Sequence, residues 1–335
     1  MSATRITRRA GSSRLPPPRR MLGRSSLWRF TQMRAPVRSQ ATRLRSSRRP
    51  PWPLILSHHR SLANPRAVSP WARHNQWMAL TITPLPAALG ATVTGLDLSN
   101  GISNELVDLL HHAWYEHLVL FFPEAHLTLD QHIALGETFG RLAATTTGDE
   151  DYRGQPTLGQ NGEVLVLDAS TPQGRANAWH TDVTFAKTPP NGSLLAMQIC
   201  PSTGGDTLWS NQYNAYDALA PAMKHLIDGL DAMHGRPGLT GLNPHPMVKV
   251  HPVTGRKALF VNRGWTTSIV GMSQTESIGL LASLFNHAEK PEFNTRWHWT
   301  SGDAALWDNR CTMHYAVNDY EEAPRILHRV TIYDR

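Results

Sequence analysis

From Leu80 onward, the chain alternates between short segments with strand-like spacing of hydrophobic residues and segments with helical spacing. The apolar run 118–122, which ends before Pro123, predicts a buried strand. The segment before it predicts a helix, because Ser103 suits the N-cap position and apolar residues follow at helical spacing. The strand-like segments share Val, Leu, Thr and Trp residues and lie at 82–98, 118–122, 164–167, 192–198, 247–250, 258–262, 294–299 and 304–307.

Start signals predict three more helices. The segments 128–131 and 273–276 each have the capping-box pattern, in which a hydroxyl residue precedes Gln or Glu by three positions. Pro221 lies where the first turn of a helix tolerates proline, and Leu226 with Leu230 would form the buried stripe of that helix. Many short strands separated by Gly and Pro, with helices packed outside, predict a mainly β fold of the sandwich or jelly-roll type.

Charge divides the chain into two parts. Residues 1–77 contain 17 Arg, no Lys and no acidic residue, whereas the remainder holds 16 of the 33 basic residues and all 26 acidic ones. The basic segment is also rich in Ser and Pro, so we expect it to be a disordered leader. Three hypotheses fit it: an organellar transit peptide, a basic arm that binds phosphate backbones, or sequence upstream of a true start at Met78. One domain is expected at 78–335.

Cysteine content and hydropathy limit the cellular setting. Cys200 and Cys311 are too few for a disulfide scaffold, which favours a reducing compartment and predicts a cytoplasmic protein. The alternative is a mitochondrial protein, if the leader is a genuine transit peptide. No apolar run approaches the roughly 20 residues needed to cross a bilayer, so no membrane partner is expected. No recognition module follows the basic segment, so nucleic acid is not an expected partner.

Candidate metal ligands are His180, Asp182 and His314. Residues two apart in a strand point to the same face, so His180 and Asp182 can place a nitrogen and a carboxylate oxygen around one point. His314 follows a predicted strand and loop and would add a second imidazole. Two imidazoles and one carboxylate leave three coordination positions open, which suits a non-haem Fe(II) that binds a cosubstrate and O₂. A hydrolytic zinc site is the chemical alternative. With 17 His in the chain, a His-x-Asp pattern can also occur without metal.

Two arginines and a threonine are candidates for binding an acid beside the metal. Arg325 and Arg329 are four positions apart, a spacing that one strand face can accommodate. A guanidinium pairs bidentately with a carboxylate, so these residues indicate a dicarboxylate or 2-oxo acid that chelates the metal. Thr207 could direct its hydroxyl at the same acid. The alternatives are exposed strand charges for the arginines and a simple hairpin for the segment before Thr207.

Several motifs occur together in a fixed order, and they resemble one family. They are Trp-His-Thr-Asp-Val-Thr-Phe at 179–185, Pro-Pro at 189–190, Pro-Ser-Thr-Gly-Gly-Asp-Thr-Leu-Trp at 201–209, His-Pro-Val-Thr-Gly at 251–255, Trp-Asp-Asn-Arg at 307–310, and then His314, Arg325 and His-Arg at 328–329. From about residue 82 to the C terminus, the sequence resembles the TauD/TfdA family of Fe(II)/2-oxoglutarate-dependent dioxygenases. That family includes taurine dioxygenase, 2,4-dichlorophenoxyacetate dioxygenase and alkylsulfatases.

The resemblance implies a double-stranded β-helix of the cupin-like jelly-roll type. It implies Fe(II) held by His180, Asp182 and His314, and 2-oxoglutarate with its distal carboxylate on Arg325 and Thr207. It also implies O₂ as the oxidant, ascorbate as an activator and assembly as a homodimer or homotetramer.

The implied reaction hydroxylates a small anionic substrate next to its anionic or ether group. The candidate substrates are a sulfonate, an alkyl sulfate or an aryloxyalkanoate, and 2-oxoglutarate would leave as succinate and CO₂. Arg329 would contact the anionic group of the primary substrate. A role in sulfur metabolism follows for the sulfonate and sulfate substrates.

Departures from the family bear on the substrate. A histidine that helps hold the sulfonate in the taurine enzyme would fall near Thr145, where the sequence has none, although taurine dioxygenase proper remains an alternative. Trp265 is predicted to form a bulky apolar wall of the substrate pocket. Asn177 could reach the same pocket, and the alternative is that it caps a loop. The segment between His234 and His245 is shorter than in the family and usually forms part of the lid. A catalytically impaired jelly-roll binding protein with a shortened lid is therefore the other alternative.

Overall fold

The computed structural model describes residues 80–149, 152, 154–171, 176, 178–238 and 240–334. The predicted leader 1–77 and the candidate Asn177 lie outside these described residues. The helices of the described part are α1 Asn104–His117, α2 Leu129–Phe139, α3 Gln212–Asp217, α4 Pro221–Ile227 and α5 Gln274–Ala288.

Short strands dominate the described residues. They are β1 Thr81–Pro84, β2 Ala91–Thr94, β3 Val119–Phe122, β4 Arg141–Leu142, β5 Thr157–Leu158, β6 Val164–Asp168, β7 Gly192–Ile199, β8 Thr207–Asn211, β9 Asp231–Gly235, β10 Leu242–Pro246, β11 Val248–Val250, β12 Lys257–Leu259, β13 Thr266–Ile269, β14 Asn294–Trp297, β15 Ala304–Asp308, β16 Thr312–Ala316 and β17 Ile326–Tyr333.

Two sheets form the centre of the fold. The larger sheet has the strand order β1-β2-β3-β15-β7-β17-β6-β5, with β4 pairing to β17. The smaller sheet has the order β14-β8-β16, and both of its pairings are antiparallel. Two further sheets are formed by strands from the second half of the sequence. One has the order β10-β9-β13, and the other pairs β11 with β12. The architecture is a double-stranded β-helix with flanking helices, which confirms the predicted fold class.

The larger sheet has a core on each of its faces, because successive residues of a strand point to opposite sides. Leu306 and Val330 lie on one face, in a cluster that also contains buried residues of α1 and α2. Trp307 and Leu327 lie on the other face, in a cluster that includes Trp209 of the smaller sheet. The second face therefore packs against the smaller sheet, and the site described below lies on this side.

The predicted helix starts are confirmed for α1, α2 and α5. The Ser103 hydroxyl accepts a hydrogen bond from the third residue of α1, and both predicted capping boxes are formed. The helix at Pro221 begins as predicted, but its predicted stripe is wrong, because Leu226 is 48% exposed and Ile227 is the buried residue. Ile227 is the last residue of this helix and is buried in the core, where Met223 is partly buried; Leu230, beyond the helix end, also packs there partly buried. No helix of the described residues is both long enough and apolar enough to span a bilayer.

Some strands had no clear signal in the sequence. Strands β9, β10 and β13 form a small sheet whose residues are partly exposed, and β10 contains Pro244 and Pro246. Strand β16 begins at Thr312, inside a segment predicted to be a loop. Short strands of mixed polarity lack a hydrophobic alternation long enough to recognise, so tertiary pairing decides their conformation.

Candidate metal and cosubstrate site

The three predicted metal ligands lie together between the two sheets. His180 and His314 exchange main-chain hydrogen bonds of 2.9 and 2.7 Å, and their ring centroids are 4.2 Å apart. The Asp182 Oδ1 atom lies 3.7 Å from His180 Nε2 and 3.8 Å from His314 Nε2. One ligand atom from each residue lies within 4.8 Å of the others. The arrangement is the two-histidine, one-carboxylate cluster that the sequence predicted.

The local conformation of this cluster differs from the prediction of a continuous strand. His180 forms only an isolated bridge with His314, and residues 182–185 form a turn. Asp182 therefore comes to the same side as His180 through a turn and not through strand alternation. The neighbouring chain approaches closely at Gly264, where an added Cβ would lie 2.8 Å from the Cβ of His180. A glycine is required at this contact.

Hydrogen bonds and charges prepare the cluster for a cation. His180 Nδ1 donates to the carbonyl of Ala178 at 2.9 Å, which leaves the lone pair of Nε2 free. Burial and the neighbouring His180 lower the pKa of His314 to about 3, which favours the neutral imidazole that binds metals. Burial opposes ionisation of Asp182, but Arg329 and the two imidazoles hold its pKa at about 2. Two imidazoles and a carboxylate with these properties fit a non-haem Fe(II).

A cavity of ≈ 160 Å³ adjoins the cluster. Its lining includes both imidazoles, from His180 and His314, together with the predicted acid-binding residues Thr207, Arg325 and Arg329. The structure therefore brings five of the predicted site residues to one space. Much of the remaining wall is apolar, which suits a site that excludes water from a reaction.

Arg325 is a buried cation in this wall. It is 4% exposed, and its Nε donates to the Gly205 carbonyl at 3.2 Å. Its guanidinium carbon lies 5.7 Å from the centre of the Tyr320 ring, and burial lowers its pKa. Among the described residues, no carboxylate forms an ion pair with Arg325. A buried guanidinium without an anionic partner is costly unless a ligand provides one.

Thr207 is oriented by a tryptophan that the sequence reading did not include. The Trp299 indole nitrogen donates to the Thr207 hydroxyl oxygen at 2.9 Å. Because this oxygen already accepts a hydrogen bond, its own hydrogen remains available for an acceptor in the cavity. Thr207 and Arg325 thus offer a hydroxyl donor and a guanidinium fork to one ligand.

Arg329 contacts the ligand cluster directly. Its Nη1 donates to Asp182 Oδ1 at 2.9 Å, and the other carboxylate oxygen accepts a hydrogen bond of 2.8 Å from Ser193. The guanidinium also lines the cavity. Arg329 is therefore adjacent to the metal-binding oxygen as well as to the space where a substrate would lie, and its substrate role stays a prediction.

Trp265 lies outside the lining of this cavity. Its ring packs edge-on against Phe185, with centroids 4.7 Å apart, and the Arg236 guanidinium lies 5.7 Å from it. The aromatic residues that line this cavity include Trp209, Trp299 and Trp307, and the role of Trp265 in a substrate pocket stays a prediction. Strands β9 and β10, at either end of the segment predicted to be shortened, pair as antiparallel neighbours.

The sequence did not indicate a role at the site for a tryptophan that lines the cavity or for two polar residues that hydrogen-bond to Asp182. Trp209 follows Thr207 by two positions on β8, so strand alternation could have placed it on the same face. Ser193 and Asn309 hold Asp182 through hydrogen bonds, but they come from β7 and from the turn between β15 and β16. Nothing local in the sequence connects them with Asp182.

A second buried group of potential ligands has a different character. His251, Asp308 and Cys311 lie close enough to surround an ion. However, the Arg310 guanidinium already neutralises Asp308 with hydrogen bonds of 2.9 and 2.7 Å. His251 Nδ1 accepts two main-chain hydrogen bonds, so its Nε2 carries the proton that is donated to Asp308 at 3.0 Å. Burial also raises the pKa of the Cys311 thiol. This group is a structural network.

The fold and the site describe a jelly-roll protein with a candidate metal cluster beside a cavity that contains a buried arginine, and comparisons with known proteins give its family. Residues 81–331 match the family described as Taurine catabolism dioxygenase TauD, TfdA family. The chain belongs to this family, as the motifs predicted.

Individual relatives agree with this assignment. An α-ketoglutarate-dependent sulfate ester dioxygenase from Pseudomonas putida is 34% identical over 279 residues, which cover 76% of this chain and 90% of the relative. An (S)-phenoxypropionate/α-ketoglutarate dioxygenase from Sphingobium herbicidovorans is 32% identical over 265 residues, with coverages of 71% and 90%. The crystal structure of a taurine dioxygenase from Burkholderia xenovorans matches with a TM-score of 0.68 and 34% identity, and covers 76% of this chain and 91% of that one.

Proposed function

We propose that this protein is an Fe(II)- and 2-oxoglutarate-dependent dioxygenase that hydroxylates a small anionic organic substrate. The observation that carries the proposal is a single cavity that contains the His180 and His314 imidazoles, beside Asp182, together with the buried Arg325 guanidinium. A candidate metal cluster and a buried guanidinium that forms no ion pair with a carboxylate of the described residues lie in one cavity. Together they are complementary to a 2-oxo dicarboxylate, whose one end chelates a metal and whose other end is a carboxylate.

Each group has a distinct role in this proposal. His180, Asp182 and His314 hold Fe(II), which when bound supplies the positions at which 2-oxoglutarate and O₂ react. Arg325 and Thr207 bind the distal carboxylate of 2-oxoglutarate and so fix its orientation. The net reaction consumes the substrate, 2-oxoglutarate and O₂, and yields the hydroxylated product, succinate and CO₂.

The substrate class follows from Arg329 and from the named relatives. A guanidinium that lines the cavity suits a sulfonate, sulfate or carboxylate group, and the apolar tryptophan wall suits an alkyl or aryl group. The relatives from Pseudomonas and Sphingobium are named for a sulfate ester and for phenoxypropionate. We therefore place sulfate esters, sulfonates and aryloxyalkanoates first among the candidate substrates, and sulfur metabolism among the candidate roles.

Further parts of the proposal concern the setting of the enzyme. We propose ascorbate as an activator that keeps the iron reduced, a homodimer or homotetramer as the assembly, and the cytoplasm as the compartment. The catalytic domain is proposed to span 78–335, since the match to the family begins at residue 81.

Anaerobic absorption spectroscopy tests the cosubstrate assignment. Fe(II) added together with 2-oxoglutarate is expected to give a weak visible charge-transfer band, because chelation joins the metal to the 2-oxo acid. His180→Ala is expected to abolish the band. A wild-type protein that binds Fe(II) but gives no band with 2-oxoglutarate would contradict the proposal.

Turnover then separates the remaining alternatives. Alkyl sulfates, sulfonates and aryloxyalkanoates are each added with Fe(II), ascorbate and O₂, and succinate is measured. Substrate-dependent succinate release supports the proposed enzyme, whereas a normal band without release from any compound supports an impaired binding protein. Product formation without O₂ would indicate a hydrolase.

A further inference from the structure

Asn309 holds the main chain of Asp182 from the turn between β15 and β16. Its side-chain oxygen accepts a hydrogen bond from the Asp182 N–H at 2.9 Å. Its side-chain nitrogen donates to the Asp182 carbonyl at 2.9 Å and to the Pro190 carbonyl at 3.1 Å. One carboxamide therefore satisfies both main-chain polar groups of the residue that carries the carboxylate, a task that a neighbouring strand would otherwise perform.

The residue after Asp182 has a backbone conformation that needs such support. Val183 has a φ of +53°, in the left-handed region that β-branched residues avoid, and conformations of this kind cost about 1–3 kcal/mol. The carbonyl that Asn309 binds belongs to the peptide group between Asp182 and Val183. This hydrogen bond therefore fixes the orientation of the peptide that leads into the strained residue.

Asn309 itself sits on a rigid turn. Its main-chain N–H donates to the Asn191 carbonyl at 2.8 Å, and the preceding Asp308 is bound by Arg310 and His251. Asn309 is 1% exposed and does not belong to the lining of the cavity. Its side chain contacts the predicted ligands only through the main chain of Asp182, among the described residues.

We propose that Asn309 is a positioning residue for the metal ligand Asp182. It fixes the main chain of Asp182 while Ser193 binds the Oδ2 atom, and the two together direct Oδ1 toward the imidazoles of His180 and His314. This proposal rests on the metal site of the proposed function. It assigns Asn309 no contact with metal, cosubstrate or substrate.

Titration with Mn(II) alone tests the proposal, because the electron paramagnetic resonance signal of free Mn(II) reports binding without turnover. Asn309→Ala is expected to weaken Mn(II) binding about ten- to a hundredfold, the usual effect of removing a group that orients a ligand. Asn211→Ala is the matched control. Asn211 is also buried and also uses its side chain for three hydrogen bonds, but to α3 and to the residue 88 carbonyl. The control is expected to lose thermal stability and keep its Mn(II) affinity within about twofold.

The outcomes distinguish this proposal from the proposed metal site. If Asn309→Ala binds Mn(II) as tightly as Asn211→Ala, the positioning role is wrong. If Asn309→Ala does not fold, the Mn(II) affinity of Asn309→Ser is measured in its place. The serine hydroxyl can satisfy one of the two main-chain groups of Asp182, either the N–H or the carbonyl. If His180→Ala also binds Mn(II) like the wild type, the metal site itself is wrong. If His180→Ala loses binding while the Asn309 variants keep it, only the positioning role fails.

Discussion

Arg325 and Arg329 are four positions apart, but their surroundings differ. Arg325 has no carboxylate partner among the described residues and lies beside Thr207 in the cavity lining. Arg329 donates to Asp182 at 2.9 Å. The sequence pattern predicted two anion-binding arginines, whereas their distinct environments follow from packing, because Asp182 comes from a segment almost 150 positions earlier.

Replacing each arginine in turn should affect the KM of a different substrate. Arg325→Ala is expected to raise the KM for 2-oxoglutarate about ten- to a hundredfold, because a lost hydrogen bond to a charged group costs about 1.5–3 kcal/mol. Arg329→Ala is expected to raise mainly the KM for the primary substrate. Both are measured by succinate release at saturating Fe(II), because Arg329 also touches a metal ligand. Equal effects of the two variants on the KM for 2-oxoglutarate would contradict this division.

The roles of other single residues depend on partners that are distant in the chain. Trp299 orients the hydroxyl of Thr207, and Asn309 holds the main chain of Asp182. Neither residue has a local pattern that predicts its partner. His180, Asp182 and His314 could be predicted because metal chemistry restricts the residue types and because the surrounding motifs resemble a known family.

At the scale of elements, helix α2 is joined to the larger sheet by a buried histidine. His132 donates from Nε2 to the Leu194 carbonyl of β7 at 2.9 Å, and it is 2% exposed. Burial lowers its pKa to about 4, which the hydrogen bond to Leu194 only partly offsets. The folded state therefore holds this histidine neutral under conditions where the unfolded chain protonates it.

This histidine should make stability depend on pH. Its contribution is present above the unfolded pKa of about 6.5 and is lost as the pH falls toward 4, because only the unfolded state takes up the proton. When the pH falls from 7 to 5, the free energy of unfolding should decrease less in His132→Gln than in the wild type. The expected difference between the two decreases is about 2 kcal/mol. Urea unfolding at both pH values measures this difference. His225→Gln, on an exposed part of α4, is the control and should keep the wild-type dependence.

Element prediction succeeded where the local signal was strong. The capping boxes of α2 and α5 fix where these helices begin, because they satisfy N–H groups that have no partner within the helix. The prediction that Leu226 is buried in α4 was wrong. In a helix of only two turns, tertiary packing decides which residue is buried. Strand β10 was missed because its prolines and exposed positions show no alternation.

At the scale of the whole molecule, the described residues all lie between 80 and 334, with short gaps. The family match begins at residue 81, and the basic segment 1–77 lies outside the described residues. All predicted metal and cosubstrate ligands therefore belong to the part after Met78.

Removing the basic segment should leave the activity intact. A chain that begins at Met78 is expected to bind Mn(II) and release succinate with the same KM for 2-oxoglutarate as the full chain, within about twofold. The two chains are compared at equal concentration, and their melting temperatures are measured alongside. A large loss of Mn(II) affinity in the shorter chain would show that the basic segment contributes to the domain.

The sequence by itself indicated the kind of fold, the starts of α1, α2, α4 and α5, and the candidate metal-binding and acid-binding residues. These features depend on local periodicity, on capping chemistry and on the few residue types that bind iron and carboxylates. The tertiary structure decided which oxygen of Asp182 faces the imidazoles, which arginine has no carboxylate partner among the described residues, and that Asn309 and Trp299 hydrogen-bond to Asp182 and Thr207. Those features depend on contacts between segments about a hundred or more positions apart, which no local pattern specifies.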